Sequence, residues 1–419
     1  MQRLSPQPLR SIPSVVLSAE YWNNRGSFLA SLYEQYGPIF RAQLARTEVV
    51  FLIGPEANRF VLSSRHQAFS HQRGWGWVFG TDDSPLNLIT MDSPEHDWHR
   101  RILNPAFSAR RMVGYLPLIT RIIDKRLGRW GMRGEIDVYE EARVITLDAV
   151  AQVFLGLRSG WEVELCRSVY LHGARQRANE FATLLRQKIA ERRAHPFDDA
   201  LGLLAQAQDP QGHPLSVAQI LAHVDTLLVA GPETSASLAA WALYLLIDHP
   251  AYEQRVVGEI VQSTLNRPLD MDTLRAMQQL DWALSEAERL YPPVAIAPRG
   301  LIEPVEFSGY LLPVGTLVYY SAGATHVLPS VWTAPSTFDP DRFAPPREEQ
   351  RKTPYALVGF GGGSRLCIGL TFARMELLVL LVQALRRYRL VVSPGQAIAQ
   401  RAGVTSRPLH GIRMRVQPR

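Results

Sequence analysis

Cysteine is almost absent from this chain: 419 residues contain only Cys166 and Cys367. A fold stapled by several disulfides is therefore excluded, and at most one long bridge remains arithmetically open. Long apolar runs are missing too. The longest, residues 238–247, is about half of what a bilayer-crossing helix requires. Residues 1–13 carry arginine and proline but no apolar core of a signal peptide. Lysine is scarce: Lys125, Lys188 and Lys352 are the whole set, so nearly all of the 45 basic residues are arginine. The net charge is +6, but the arginines are scattered and interleaved with acids, with no basic arm. That pattern speaks for a solvated surface or an acidic protein partner and against nucleic acid. No internal repeat or low-complexity segment occurs. The expectation is a soluble, cytoplasmic protein.

What is present is ordinary for a globular protein with a sizeable core: 46% hydrophobic and 20% charged residues. At about 150 residues per domain, the length suits two or three domains or one large catalytic unit. Short alternating runs at 39–44 and 49–53, between Gly37-Pro38 and Gly54-Pro55, predict a hairpin at the edge of a small sheet. From 93 to 290 apolar residues recur at three and four, predicting helices broken at 131–134, 156–160 and 209–214. Strand character returns at 305–320 and in the last thirty residues, where His410-Gly411 suits a terminal hairpin turn. Residues 344–353 read as a polar loop.

One helix is unusual. Ser216 and Gln219 form a capping-box pattern, apolar positions continue to Ile247, and His249-Pro250 stops the run. About 32 residues span roughly 48 Å, enough to cross a domain. Gly231-Pro232 lies at its middle, where an interior proline costs about 3 kcal/mol and frees the carbonyl of Leu228. The residues allow either a kink, two separate helices, or an opened groove beside Glu233 and Thr234.

Near the C-terminus the chain reads Phe360-Gly361-Gly362-Gly363-Ser364-Arg365-Leu366-Cys367-Ile368-Gly369, followed by an apolar helix over 370–387. The glycines let the backbone approach a flat ligand and turn successive N–H groups toward the sulfur. The helix adds its positive N-terminal end, and a bound metal would deprotonate the thiol outright. Arg365 suits a carboxylate beside that metal. The alternative is a buried, inert cysteine in a glycine turn.

The pattern Phe-x-x-Gly-x-Arg-x-Cys-x-Gly resembles the cytochrome P-450 family, the haem-thiolate monooxygenases. The resemblance runs from about Gly37 to the end. It implies a single domain over 1–419, mainly α with small β-sheets, enclosing one haem b. The β-rich part would take 37–62, 294–325 and 388–419, and the helical part 93–291 and 368–387. Cys367 would be the axial ligand of the iron. Phe360, Gly361, Arg365 and Gly369 of the loop, with Ala230 and Gly231 of the long helix, would border the haem. His96, Arg100, Arg299 and Arg365 would hold its propionates. Glu286 and Arg289, at i and i+3, would join Arg342 in a buried network that holds the fold without reacting. Residues 230–235 resemble the family's oxygen-binding motif, so Thr234 would hydrogen-bond dioxygen and Glu233 would relay protons; Pro232 is a variant within it.

Wall positions of the substrate pocket would be Trp75, Trp77, Phe79, Leu227, Val294, Ile296 and Val404. They suit a bulky apolar substrate: a terpenoid, carotenoid, retinoid or fatty acid. The roof-forming segment between Gly156 and Arg192 has only about 36 residues, shorter than in relatives. The chain contains no flavin or iron–sulfur segment. Electrons would come from a ferredoxin or flavodoxin with its reductase, and from NAD(P)H only indirectly, docking near Arg101, Arg110 and Arg111. Two other readings are a peroxygenase or isomerase that needs no redox partner, and a non-enzymatic haem sensor.

Overall fold

The computed structural model describes residues 6–79, 85–265 and 267–419. Seven helices frame the site: α1 (His71–Phe79), α2 (Glu95–Leu103), α3 (Ala109–Leu127), α4 (Val138–Phe154), α5 (Val217–Asp248), α6 (Gln278–Leu290) and α7 (Leu370–Arg387). Nine strands flank them: β1 (Ser14–Val15), β2 (Ile39–Leu44), β3 (Thr47–Leu52), β4 (Phe69–Ser70), β5 (Glu135–Asp137), β6 (Ala297–Leu301), β7 (Leu317–Tyr320), β8 (Tyr388–Val392) and β9 (Arg413–Pro418).

Helix α5 forms where its sequence signals place it. The Ser216 hydroxyl accepts the Gln219 N–H at 3.2 Å, and Gln219 Oε1 accepts the Ser216 N–H at 2.9 Å. The next helix begins at Pro250. It runs unbroken through Pro232, which removes the two-helix alternative. The Pro232 carbonyl instead accepts the Thr146 hydroxyl of α4 at 2.9 Å, tying the two helices together at the proline. Residues 235–243 are buried all round, as a central core helix requires. The largest apolar cluster joins α3 to α7 around this segment.

The six-stranded sheet has the order β1-β2-β3-β7-β6-β4. The 39–44 and 47–52 hairpin is present, but it does not form an edge: β3 pairs in parallel with β7, and β2 is covered by β1. The 131–134 break contains a short helix, Trp130–Arg133, and leads into a strand, β5, that the helical reading missed. β5 pairs with β9, and β9 with β8, in a second sheet. The expected turn at His410-Gly411 makes no hairpin, because Arg407–Pro408 pairs with Gln400–Arg401 in a different sheet from β9. Each correction has one cause. Strands of two to six residues are decided by distant partners rather than by their own pattern.

A closed ionic network sits behind the cysteine loop. Arg289 donates from Nε and Nη2 to the two Glu286 oxygens, each at 2.7 Å, and Arg342 Nε donates to Glu286 Oε1 at 3.0 Å. Arg342 also reaches Glu349 Oε2 at 2.9 Å, so two guanidinium groups face two carboxylates. Remaining donors go to the carbonyls of His326, Thr333 and Pro335. Glu286, Arg289 and Arg342 are fully buried. Glu349 lies in the stretch read as a polar loop, and its role depends on contacts that sequence does not display.

A second buried polar contact joins α2 to α5. His99 Nδ1 and His223 Nε2 are 2.9 Å apart, and both rings are buried. Burial pushes the His99 pKa down to about 4 and that of His223 down to about 3, with further lowering from His96 and His99 respectively.

Two outcomes follow. Glu286→Ala leaves two buried guanidinium groups without a carboxylate and should lower the unfolding free energy by about 3–5 kcal/mol in denaturant titrations. For the histidine pair, the folded pKa values lie below the unfolded 6.5, so the unfolded chain binds more protons between about pH 4 and 6.5. Stability should fall on acidification through that window, and less steeply in the double variant His99→Leu/His223→Leu.

Candidate functional site

The segment from 358 to 369 turns tightly because glycine occupies two left-handed positions, Gly361 at φ 74° and Gly363 at φ 61°. A Cβ on Gly363 would lie 2.0 Å from the Leu62 carbonyl oxygen, so only glycine lets the loop seat there. The Cys367 N–H donates to the Phe360 carbonyl at 2.9 Å, closing the turn. Its sulfur accepts the N–H groups of Gly369 and Leu370, where α7 begins. Cys367 is solvent-accessible although protein packs densely around it. Burial raises the thiol pKa; the two N–H groups and the nearby Arg100 pull it down, and Glu288 pushes it up. The net effect is upward, so the sulfur becomes a thiolate when a metal takes the place of its proton. Cys166 is free, buried and inert, with its pKa pushed up to about 12, which removes the long-bridge alternative.

On α5, Leu227, Ala230, Gly231 and Thr234 recur at i, i+3, i+4 and i+7 and are only half-buried, in contrast to the buried residues that follow. The Thr234 hydroxyl donates to the Ala230 carbonyl at 2.8 Å. Glu233 points elsewhere. It accepts from the Tyr139 hydroxyl and, at 3.2 Å, from Arg143 Nε, with Arg407 Nε at 4.0 Å. The next residue, Ser235, hydrogen-bonds Glu376 of α7, a buried carboxyl whose pKa burial raises to about 8.

Positive groups converge near the cysteine loop. Arg299 is buried on β6, with its Nη1 on the Pro298 carbonyl at 2.7 Å and its guanidinium over Tyr320. Arg365 Nη1 reaches the Met91 carbonyl at 2.8 Å. Burial first, then Arg299 and Arg100, bring the Arg365 pKa down to about 10, against the pull of Asp92 and Asp97. His96 is buried with Nδ1 2.8 Å from Asp97. His71, at the start of α1, has its pKa driven well down by burial and by Arg299, Arg365 and His96. Among the described residues, Arg100, Arg299 and Arg365 form no ion pair. A buried cation without an ion pair is costly, and Arg299, with half-buried Arg365 and Arg100 close by, calls for negative charge from a ligand.

Thus the predicted His96, Arg100, Arg299, Arg365 and Cys367 are neighbours, while His71, Asp92, Glu288 and Glu376 were missed. A lone histidine or glutamate carries no signal until the fold surrounds it. Of the predicted walls, Phe79 and Val294 pack with Trp75, which is buried. Ile296, just before β6, belongs instead with Ala295 to the core around Tyr319 and Leu328. Val404 is exposed on a loop pinned by Ser406, whose N–H reaches the Pro293 carbonyl and whose carbonyl takes the Ser237 hydroxyl. The Trp77 side chain lies outside the described ones.

These residues fit a haem. The sulfur and its N–H donors suit an axial thiolate, the arginines without ion pairs suit two carboxylates, and the small Ala230 on the half-buried α5 face leaves room beside a flat ring, while a Cβ on Gly231 would meet Val150 of α4 at 3.3 Å.

The sequence model of the family Cytochrome P450 matches residues 5–169 and 168–405. A Mycobacterium tuberculosis protein named cytochrome P450 136 is 34% identical over 397 residues, covering 87% of this chain and 79% of its own. A Synechocystis protein named cytochrome P450 120 is 32% identical over 412 residues, covering 94% and 92%. The solved structure titled retinoic acid bound cyanobacterial CYP120A1 superimposes with TM-score 0.84 at 29% identity, covering 99% and 100% of the two chains.

The unpaired cations yield a sign-inverted test. Arg299→Met should raise the denaturation midpoint of the haem-free protein by removing an uncompensated buried charge. The same change should speed haem loss to apomyoglobin by about tenfold, the equivalent of one charge-assisted hydrogen bond.

Proposed function

This chain belongs to the cytochrome P450 family and is a P450 monooxygenase; from that premise we propose that it hydroxylates a bulky, elongated apolar substrate of the retinoid or terpenoid kind. The observation that carries this is the half-buried α5 face, Leu227-Ala230-Gly231-Thr234, in a fold whose cysteine loop leaves its sulfur accessible. Similarity to a cyanobacterial relative whose title records bound retinoic acid supports the substrate class. Among the described residues no helix is long and apolar enough to cross a membrane, and we place the enzyme in the cytoplasm.

Haem b, held by Cys367 and by Arg100, Arg299, Arg365, His71 and His96, supplies dioxygen activation and oxygen insertion when bound. The chain's residues supply position and protons. Phe79, Leu227 and Val294 give the substrate an apolar wall and exclude water. Thr234 rotates its hydroxyl from the Ala230 carbonyl toward the cavity to donate a hydrogen bond. Glu233, partly exposed and held by Tyr139, Arg143 and Arg407, takes protons from solvent and releases them inward when those bonds loosen. The acid–alcohol pair favours this reading over a peroxygenase, an isomerase or a haem sensor.

The electron donor is an acidic ferredoxin or flavodoxin, itself reduced from NAD(P)H. Arg101 and Arg110 are exposed and form no ion pair among the described residues, which suits them to docking. Arg111 does not share that role, because Asp198 already neutralises it.

Thr234→Ala should divert most consumed dioxygen to hydrogen peroxide and cut product per electron about tenfold. Unchanged coupling would remove the relay, and faster turnover on peroxide alone than with a redox partner would favour the peroxygenase. Retinoids should convert the iron from low to high spin at lower concentration than saturated fatty acids; the reverse order would overturn the substrate class.

A further inference from the structure

One buried acid near the loop has no part in the mechanism above. Glu288 lies between Glu286 and Arg289 on α6 but faces away from their network. One of its oxygens covers Gly359, where a Cβ would lie 2.5 Å from Oε1, and that carboxyl accepts the Gly359 N–H. Its other oxygen is 3.5 Å from Arg374 Nη1 on α7. Glu288 therefore bridges the chain entering the cysteine loop and the helix leaving it. Arg374 is shared: its Nη2 donates to Asp281 Oδ1 at 2.6 Å and to Ser285 at 3.0 Å. The charged groups facing Glu288 are thus Arg374 from α7, Asp281 from its own helix and Cys367 from the loop. Neutral His326 meets the backbone of Glu288 and Arg289 rather than the Glu288 carboxyl.

Resting on the haem-thiolate reading, we propose that Glu288 is a proton-responsive positioning residue that sets how readily the Cys367 centre accepts an electron. Its carboxyl is buried, and the arginine beside it is already committed to a second acid. Burial raises its pKa to about 7, with Arg374 opposing and Asp281 reinforcing the shift. The carboxylate holds the chain entering the loop at Gly359, and its charge is among the influences that push the Cys367 thiol pKa up. A negative charge there disfavours adding an electron to a thiolate-bound iron. The coupled step balances simply: one electron passes from the redox partner to the iron, and one proton passes from solvent to the Glu288 carboxylate. No other bond forms or breaks. Linkage makes the coupling reciprocal, so reduction also draws the proton onto Glu288.

Spectroelectrochemical titration of the substrate-free holoenzyme from pH 6 to 8 tests this apart from turnover. In the natural protein the midpoint potential should fall as pH rises, equivalent to a roughly five- to tenfold drop in the equilibrium constant for reduction. Glu288→Gln should hold the potential high and remove that part of the pH dependence, leaving any residual slope from the histidines beside the haem edge. Glu288→Leu, which needs no hydrogen-bond partner, should do the same if the glutamine variant folds poorly. A flat profile in the natural protein, or equal slopes in natural and variant proteins, would overturn the proposal. A reduced carbonyl spectrum without thiolate character in the natural protein would instead overturn the haem-thiolate reading itself.

Discussion

Positive charge that forms no ion pair among the described residues is the constraint around which this molecule is arranged. Arg299 and Arg365 are held by backbone carbonyls, Arg100 lies near the sulfur, and His71 and His96 are kept from gaining charge. The other fully buried guanidinium groups among the described residues are neutralised. Arg289 and Arg342 share Glu286 and Glu349, Arg192 meets Asp199, and Arg126 meets Glu141. At the cysteine loop the balance is left open among the described residues, and a ligand carrying two carboxylates and a metal would close it.

The same loop shows how rigidity serves chemistry. Gly363 permits contact with the Leu62 carbonyl, Cys367 closes the turn on Phe360, and the 286–289–342 network supports the loop from behind. Glu288 adds a bridge from Gly359 to Arg374. A sulfur held on so many sides cannot adjust to its metal, so its electronic character must be set by neighbours and by their protonation. The α5 side is arranged differently. Pro232 removes a helical hydrogen bond, Thr146 occupies its carbonyl, and Thr234 and Glu233 are held by bonds that can exchange.

Much of this was legible from residue order, though not all. The long helix was bounded correctly because its capping box and terminal His-Pro are local signals, and α7 was bounded by its apolar run. The hairpin of 39–52 was recognised, but its place inside the sheet was not, since β1 and β7 come from distant segments. β5 was missed because three residues carry too little pattern. Within the site, Cys367, Arg365, Thr234 and the Glu286–Arg289 pair were identifiable from spacing and resemblance. His71, Glu288, Glu349 and Glu376 stand at positions where spacing says nothing, and their burial alone makes them matter. Ile296 was misplaced for the same reason.

Sequence by itself determined the elements whose causes lie within a few residues: helix caps, glycine turns, and a cysteine set between glycines before an apolar helix. These are short-range effects of backbone sterics and local hydrogen bonding, and they survive without knowledge of the rest of the chain. Only the tertiary structure decided which charges would lack partners, which acids would lose water, and which walls would face the cavity. Those outcomes depend on desolvation and on distances between segments far apart in the chain, as from His71 to Arg299 or from Glu288 to Arg374.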